Sequence, residues 1–248
     1  MTQPPISTSR ANSRYSSSRL VSLLTTLAQH SATPARSHIA QGLGRMIDLA
    51  DSIEISDTLD SLARMTAAQP GPANTNPVQR LQQGHAAMVK VVTGSLSRGS
   101  SPARITLGMF LDGQGLAEVD GTVDYQPYLK LYGALQRDLE FKARNIQADI
   151  RKALAASSPE GARLAAVDNA LADPVAKQSR AVFAKIPGLL KTRFQAVADQ
   201  GDTAAAVIHE QLSDLLQTIL LAEIEARLLP ALGLIEALED DIETRVYE

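Results

Sequence analysis

Cysteine and tryptophan are absent from this chain of 248 residues, which also has only four Phe and five Tyr. Without cysteine the chain can form no disulfide, thiolate metal site or cysteine nucleophile, and the absence fits a reducing compartment. The core must therefore be built from Leu, Ala, Ile and Val. Leu and Ala favour helices, whereas β-branched and aromatic residues favour strands. The composition thus predicts an all-α protein.

Long apolar runs are also missing. A membrane helix needs about 18 consecutive apolar residues, and the most apolar region, residues 215–235, is interrupted by Glu223, Glu225 and Arg227. We interpret this region as a buried helix of a soluble protein, and we expect no transmembrane segment. A signal peptide is not expected either, because the apolar segment at residues 20–28 is short and carries three hydroxyl groups.

Helix starts are the strongest local signal in the chain. A short polar residue before proline satisfies a free backbone N–H at the helix start, while the proline loses no intrahelical bond there. Five such dipeptides precede apolar-periodic stretches: Thr33-Pro34, Asn76-Pro77, Ser101-Pro102, Ser158-Pro159 and Asp173-Pro174. Each of the five predicts the beginning of a helix.

The pattern divides the chain into four regions. Residues 1–17 are predicted to be a disordered arm rich in Arg and Ser, and residues 18–98 an N-terminal helical region. Residues 99–123 are predicted to be a loop or linker, and residues 124–248 an antiparallel helical bundle. Within the linker, a β-hairpin around Asp112-Gly113 is the alternative to a short helix and loop. We favour the helix and loop because a lone hairpin is marginal in water.

The C-terminal half carries the most regular helical spacing. One long helix is predicted from about Asp124 to Ala156, and i,i+4 pairing is expected for Asp138–Lys142 and Glu140–Arg144. Its expected buried stripe is Tyr128, Tyr132, Leu135, Leu139, Ile146, Ile150 and Ala153.

The last helix has apolar residues in a near-heptad seam. The seam is Ile208, Leu212, Leu215, Ile219, Ala222, Ala226 and Leu229, and beside it lie Leu216, Leu220, Ile224 and Leu228. A stripe of this width is typical of a bundle helix packed on two neighbours rather than of a two-stranded coiled coil. Pro187 and Pro230 are expected to break or kink the helices that contain them.

The sequence holds little that indicates catalysis. His209-Glu210 begins like a zinc-protease helix, but Ser213 occupies the position of the second ligand, so His209 is interpreted as a partly exposed bundle residue. Gly94 and Gly99 have P-loop spacing without the lysine, which predicts a flexible loop. We therefore assign no catalytic, cofactor-binding or metal-binding residue, and we expect no cofactor.

An acidic series recurs at every third residue in the N-terminal region. Its members are Asp48, Asp51, Glu54, Asp57 and Asp60. On an unbroken helix the first three could hold a divalent cation, but a solvated acidic edge on a broken helix is the favoured interpretation.

Charge is distributed very unevenly along the chain. Residues 1–47 hold five Arg and no acid, a net of +5, whereas residues 202–248 hold eleven acids and two Arg, a net of −9. Acids near the C-terminus of the final helix oppose its macrodipole, so the basic arm or a basic partner could meet them there. The alternative is that these acids only keep a Leu-rich helix soluble.

Several stretches resemble a family of bacterial proteins defined as a domain of unknown function, found mainly in proteobacteria. The matching stretches are residues 18–24, Arg45 to Leu59, Tyr128 to Leu139, and Leu220 to Leu238. The resemblance implies an all-α cytoplasmic protein, associated through neighbouring genes with envelope or motor-type proteins. It implies no catalytic residues.

Together these observations favour a non-enzymatic helical scaffold or adaptor that acts through protein–protein interaction. Its expected partners are other proteins, with a second copy of the chain as one candidate. An enzyme with an unrecognised site between helices is one alternative. Nucleic-acid binding through the arm is the weaker one, because Arg10, Arg14 and the neighbouring Arg19 on a protein with a pI of about 5.8 fall short of a basic patch.

Overall fold

A computed structural model describes Arg19, Leu20, Leu23 and residues 76–97, 103–111, 118–119, 122–198 and 204–246. Its helices are α1 (Pro77–Leu96), α2 (Gln126–Ala155), α3 (Pro159–Phe183), α4 (Ile186–Ala198) and α5 (Ala205–Val246). A 3-10 helix (Leu107–Met109) and two antiparallel strands of two residues each, β1 (Glu118–Val119) and β2 (Thr122–Val123), lie between α1 and α2. The all-α bundle expected from the composition is confirmed.

Two of the five proline-marked helix starts are confirmed by their caps. The Asn76 side chain accepts a hydrogen bond from the backbone N–H of Gln79, and Ser158 accepts one from Gly161. These bonds depend on residues within three positions of each other, so the local sequence decides them. Thr33-Pro34 and Ser101-Pro102 lie outside the described residues.

The expected helix start at Asp173-Pro174 is wrong, because Pro174 lies inside α3. An interior proline removes one backbone hydrogen bond and costs about 3 kcal/mol. The helix nevertheless continues past Pro174, and it contacts α2 on both sides of the proline. Asp168 bonds Arg151 at 2.6 Å, and beyond the proline Arg180 lies 3.3 Å from Glu140.

Consecutive long helices run antiparallel. Arg80 of α1 contacts Asp149 of α2 at 2.9 Å, and Gly84 of α1 lies against Ile146 one turn earlier on α2. An added Cβ at Gly84 would approach Ile146 to 2.3 Å, so glycine lets the two helices meet closely here. The contacts between α2 and α3 progress in the same antiparallel sense.

Helices α2 and α5 together form the centre of the bundle, and each packs against every other helix that the structure describes. The residues expected beside the α5 seam, Leu216, Leu220, Ile224 and Leu228, are all buried. Within the seam, Leu215 is half-buried and Leu229 exposed, because the buried surface follows the neighbouring helices rather than a single partner. The helix continues through Pro230 to Val246.

The expected stripe on α2 is confirmed, since all seven of its members are buried. The pair Asp138–Lys142 also forms. The pair Glu140–Arg144 does not, because α3 brings Arg180 to Glu140 and Asp173 to within 2.8 Å of Arg144. Inter-helix partners thus replace the pairing that α2 would make alone.

Three smaller expectations are settled. Gly94 lies inside α1 rather than in a loop. The chain between α1 and α2 has the short helix that was favoured there, but it also has a short hairpin that pairs Glu118 with Val123. The alternative hairpin turn at Asp112-Gly113 lies outside the described residues. The break expected near Pro187 lies just before it, between α3 and α4.

The four-region division of the chain stays a prediction. The acidic series at residues 48–60 lies outside the described residues. Among the residues that the structure describes, no helix is both long and apolar enough to cross a membrane.

Candidate functional site: a buried polar cluster

A cluster of polar side chains lies in the core where α2, α3 and α5 meet. We call it the buried polar cluster, and its members are Tyr132, Gln136, Glu223 and Arg227. Tyr132 and Glu223 are 0 % exposed, and the Arg227 side chain is 7 % exposed. Buried charged groups are rare in protein cores and are usually paired, which makes this cluster the first candidate for a functional site.

Helix spacing brings the acid into the core. Glu223 lies three residues after Leu220 and four after Ile219, both fully buried, so it shares their face of α5. Arg227 follows one turn later and places Nη2 3.5 Å from Oε2 of Glu223. The same spacing on α2 aligns Tyr132 with Gln136.

Both oxygens of the Glu223 carboxyl group accept hydrogen bonds. The hydroxyl group of Tyr132 donates to Oε1. Gln136 Nε2 lies 3.4 Å from Oε2 and 2.8 Å from the Tyr132 hydroxyl oxygen, so this one amide contacts both partners. The cluster is therefore a connected network across α2 and α5.

The network also contacts the end of α3. The carbonyl oxygen of Phe183, the last residue of α3, lies 3.4 Å from Gln136 Nε2. The Arg227 guanidinium carbon lies 4.1 Å from the centre of the Phe183 ring, which is the geometry of a cation–π contact. Within the described residues, Arg227 Nε has no hydrogen-bond partner.

Burial controls the protonation of the Glu223 carboxyl group and the Tyr132 phenol. It raises the pKa of the Glu223 carboxyl group, and the hydrogen bond from Tyr132, the charge of Arg227 and the hydrogen bond from Gln136 oppose that rise. The pKa of the Tyr132 phenol is raised by its own burial and then by the negative charge of Glu223. Tyr132 therefore stays protonated and acts as a donor, while Glu223 can take up a proton inside the core.

A second polar contact lies nearby between α2 and α5. The Tyr128 hydroxyl oxygen lies 2.7 Å from Nδ1 of His209 and 3.2 Å from the carbonyl oxygen of His209. Because the hydroxyl group has one proton, the tautomer of His209 decides which of the two contacts the hydroxyl group donates to. The ring of Phe194 on α4 packs edge-on against Tyr128, with the ring centres 5.9 Å apart.

His209 is thus a correction to the sequence interpretation. It was expected to be partly exposed, but it is 0 % exposed and bonded to a tyrosine. In the described ranges no group of three or more His, Asp or Glu could hold a metal ion. Helical spacing carries the missed signal, since His209 lies three residues before Leu212 and seven before Leu216, both of them buried.

Glu223 was recognised in the sequence only as an interruption of an apolar run. Its position three residues from Leu220 and four from Ile219 indicated burial, but nothing local indicated Tyr132 as its partner, 91 residues away. Chemically, the cluster can bind and release one proton and can fix the relative positions of three helices. Both roles follow from a carboxyl group whose surroundings are fully desolvated.

The pH dependence of stability tests the protonation of Glu223. Because its folded pKa lies above the ordinary value of 4.5, the folded state holds the proton more tightly than the unfolded state. The contribution of Glu223 to the free energy of unfolding therefore falls as pH rises from about 4.5 through the raised pKa. Glu223→Gln lacks this dependence, so its stability relative to the parent protein should increase with pH. The increase should be about 1.4 kcal/mol for each pH unit that separates the ordinary pKa from the raised one.

Urea unfolding at a series of pH values between about 4 and 8 measures this difference. Glu225→Gln, the same change at an exposed position of α5, controls for the loss of one carboxylate from the helix. A difference that decreases with pH would contradict the raised pKa, because it would mean that Arg227 holds the carboxylate ionised in the core.

The fold and the cluster together define an all-α bundle with a polar core contact. The chain belongs to the family described as Protein of unknown function (DUF3348), whose model matches residues 6–240. The resemblance to a family of unknown function is thereby confirmed. Searches among curated proteins and among solved structures each gave no match.

Proposed function

We propose that this protein is a non-enzymatic helical scaffold or adaptor that binds another protein through the outer face of α5. A cytoplasmic location and a partner in an envelope or motor-type complex, both implied by the family resemblance, are part of this proposal. The observation that supports this proposal is a stripe of exposed side chains on α5 that combines leucines with acids.

The stripe follows one face of the helix. We call it the outer stripe, and its members are Glu225, Leu229, Leu232, Glu236 and Glu239, all of them exposed. Successive members are four, three, four and three residues apart, which keeps them on one side of the helix. Leu229 and Leu232 are each 43 % exposed, and an apolar centre bordered by charged residues is the usual composition of a protein interface.

The charge of the stripe indicates the kind of partner. Its three acids lie in the segment of the chain that has a net charge of −9. Two copies of this face would bring like charges together, which costs free energy in an interface. A partner that presents apolar side chains flanked by Arg or Lys is favoured instead.

The buried polar cluster supports a structural role for the core. Its carboxyl oxygens are occupied by donors from α2 and α5, and Tyr132 and Glu223 have no exposed surface. Such a network gives an otherwise Leu-rich core a specific helix register. A register fixed in this way holds the outer stripe on the outside of the bundle.

An enzyme remains the second candidate, and Glu223 is the observation that favours it. Buried acids with raised pKa values occur often at catalytic sites. A catalytic Glu223 would need contact with a substrate, and its neighbours in the structure are protein side chains. The scaffold therefore accounts for more of the described structure.

Paired substitutions on α5 test the scaffold proposal. We expect Leu229→Lys combined with Leu232→Lys to lose a specific set of proteins captured from native lysate with the full chain, because two lysines replace the apolar centre of the stripe. Quantitative mass spectrometry of the captured proteins measures the loss. We expect a drop of roughly tenfold or more for a partner anchored by both leucines.

Val175→Lys combined with Val207→Lys is the matched control, since both valines are also 43 % exposed and lie outside the outer stripe. Equal capture by the two double variants would contradict the proposal. Light scattering of the full chain tests a second copy as partner, and a mass of 26.5 kDa at tens of micromolar would exclude stable self-association.

A further inference from the structure

One face of α2 carries an exposed aromatic residue among basic ones. We call this face the basic stripe, and its members are Lys130, Ala134, Arg137, Phe141, Asn145, Ala148 and Lys152. Successive members are three or four residues apart, which keeps them on one side of the helix. Phe141 is 66 % exposed, and aromatic residues beside arginine are typical of the centres of protein interfaces.

The neighbouring helices contact α2 beside the basic stripe rather than on it. Arg80 of α1 pairs with Asp149 on one side of α2, and Arg180 of α3 pairs with Glu140 on another. Helix α5 contacts the side that carries Tyr132. The basic stripe is therefore turned away from α1, α3 and α5, the three helices that pack most extensively against α2.

The hydrogen bond from Tyr132 to Glu223 shows how the basic stripe lies relative to the outer stripe of α5. Phe141 follows Tyr132 by nine residues, and Leu232 follows Glu223 by nine residues. Nine residues are about two and a half turns of a helix, so each of these side chains lies opposite the contact between α2 and α5. The two stripes therefore face outward on opposite sides of the pair of helices, and they can meet only between two molecules.

We propose that the outer stripe of α5 binds the basic stripe of a second copy of this chain. In this contact Phe141 of one copy lies against Leu229 and Leu232 of the other. The article's proposed function requires a partner with an apolar centre flanked by Arg or Lys, and the basic stripe has this composition. A second copy is then the partner of the outer stripe, and this assignment rests on the proposed function of that stripe.

The two surfaces are complementary in charge. The basic stripe contains three cations and no acid, whereas the outer stripe lies in the segment with a net charge of −9. Glu225 pairs with Arg19 within the molecule, so the complementarity comes from the net charge of this segment and not from any one acid. Near the basic stripe, Asp138 is paired with Lys142. Opposite charges across an interface favour association and fix which faces meet.

A contact between two different faces is heterologous. Each copy has one outer stripe and one basic stripe, so a pair of copies joined by one contact still has one of each unused. Such contacts propagate into open chains or close into rings. We therefore expect the mass of the assembly to grow with protein concentration rather than to stop at a dimer.

Complementation between two variants of the full chain tests this assembly. Phe141→Lys removes the apolar centre of the basic stripe, and Leu229→Lys combined with Leu232→Lys removes that of the outer stripe. We expect the parent protein to self-associate at tens of micromolar and each variant alone to associate at least roughly tenfold more weakly, with a mass near 26.5 kDa. An equimolar mixture should form a complex of twice that mass, because one copy keeps its outer stripe and the other its basic stripe. Analytical ultracentrifugation measures the masses.

Matched variants control for exposure and for charge. Met109→Lys should associate like the parent, since Met109 is also 66 % exposed and lies outside α2. Lys130→Glu combined with Arg137→Glu should weaken association roughly tenfold. Lys177→Glu combined with Lys191→Glu, the same charge change at exposed positions of α3 and α4, should not.

A monomeric parent protein, a mixture of the two variants that stays monomeric, or an equal effect of the two charge reversals would overturn the proposal. Capture of other proteins is measured separately with Phe141→Lys, because this variant keeps its outer stripe. Failure of the complementation therefore counts against the second copy alone, whereas unchanged capture by the leucine variants counts against the scaffold.

Discussion

Glu223→Ala is expected to lower the free energy of unfolding by about 3–5 kcal/mol, the usual effect of removing one partner of a buried ion pair. The substitution takes the acceptor away from Tyr132 and Gln136 and leaves the guanidinium group of Arg227 in the core without its carboxyl partner. Urea unfolding followed by circular dichroism measures the loss.

Removing three of the four cluster members together should have a much smaller effect, because Gln136 keeps the Phe183 carbonyl oxygen as a partner. The triple variant combines Tyr132→Phe, Glu223→Leu and Arg227→Met, so that both buried charges are removed together. Replacing a buried ion pair by apolar residues of similar volume often leaves stability unchanged or increases it. We expect this triple variant to lie within about 1 kcal/mol of the parent or to exceed it. If it loses as much stability as Glu223→Ala, the polar contacts contribute more than their desolvation costs.

The triple variant also separates the two candidate functions. A scaffold whose core is rebuilt from apolar residues keeps its outer stripe and should still capture the same proteins. An enzyme that depends on Glu223 would lose its activity in this stable, folded variant. The comparison therefore distinguishes a structural role from a catalytic role at equal stability.

Gly161→Ala is expected to destabilise the protein by about 1–3 kcal/mol through overpacking where the first turn of α3 meets the end of α2. An added Cβ at Gly161 would lie 2.4 Å from the carbonyl oxygen of Leu154 and 2.5 Å from the Ser157 hydroxyl oxygen. The side chain of Leu154 is fully buried, so its backbone cannot move away without disturbing the core. The melting temperature of the variant measures the effect.

Gly188→Ala and Gly233→Ala are the matched controls, because an added Cβ at either position meets nothing within 4 Å. Alanine favours a helix over glycine by about 0.8–1 kcal/mol, so both controls should raise the melting temperature. A rise for Gly161→Ala as well would contradict the close approach in the turn.

Much of α2 was predictable from its sequence. The seven residues of its stripe repeat at helical spacing, and the structure buries all of them. The helix starts at Asn76 and Ser158 were predictable for a related reason, since each cap bonds a backbone N–H three residues away. In both cases the deciding interactions are local or follow from the period of the helix.

The candidate site was predictable only in part. Helical spacing predicted that Tyr132 is buried, and the same spacing could have predicted the burial of Glu223. The hydrogen bond between them could not be predicted, because it joins residues 91 positions apart and depends on how α2 packs against α5. The burial of His209 against Tyr128, 81 residues away, has the same origin.

By itself, the sequence determined the helical class of this protein, the caps of α1 and α3 and the uneven distribution of charge. Only the tertiary structure decided that Pro174 lies within a helix, that Glu140 and Arg144 pair with α3, and that one glutamate is enclosed in the core. Propensity and capping act over a few residues, whereas burial and ion pairing depend on which distant helices pack together.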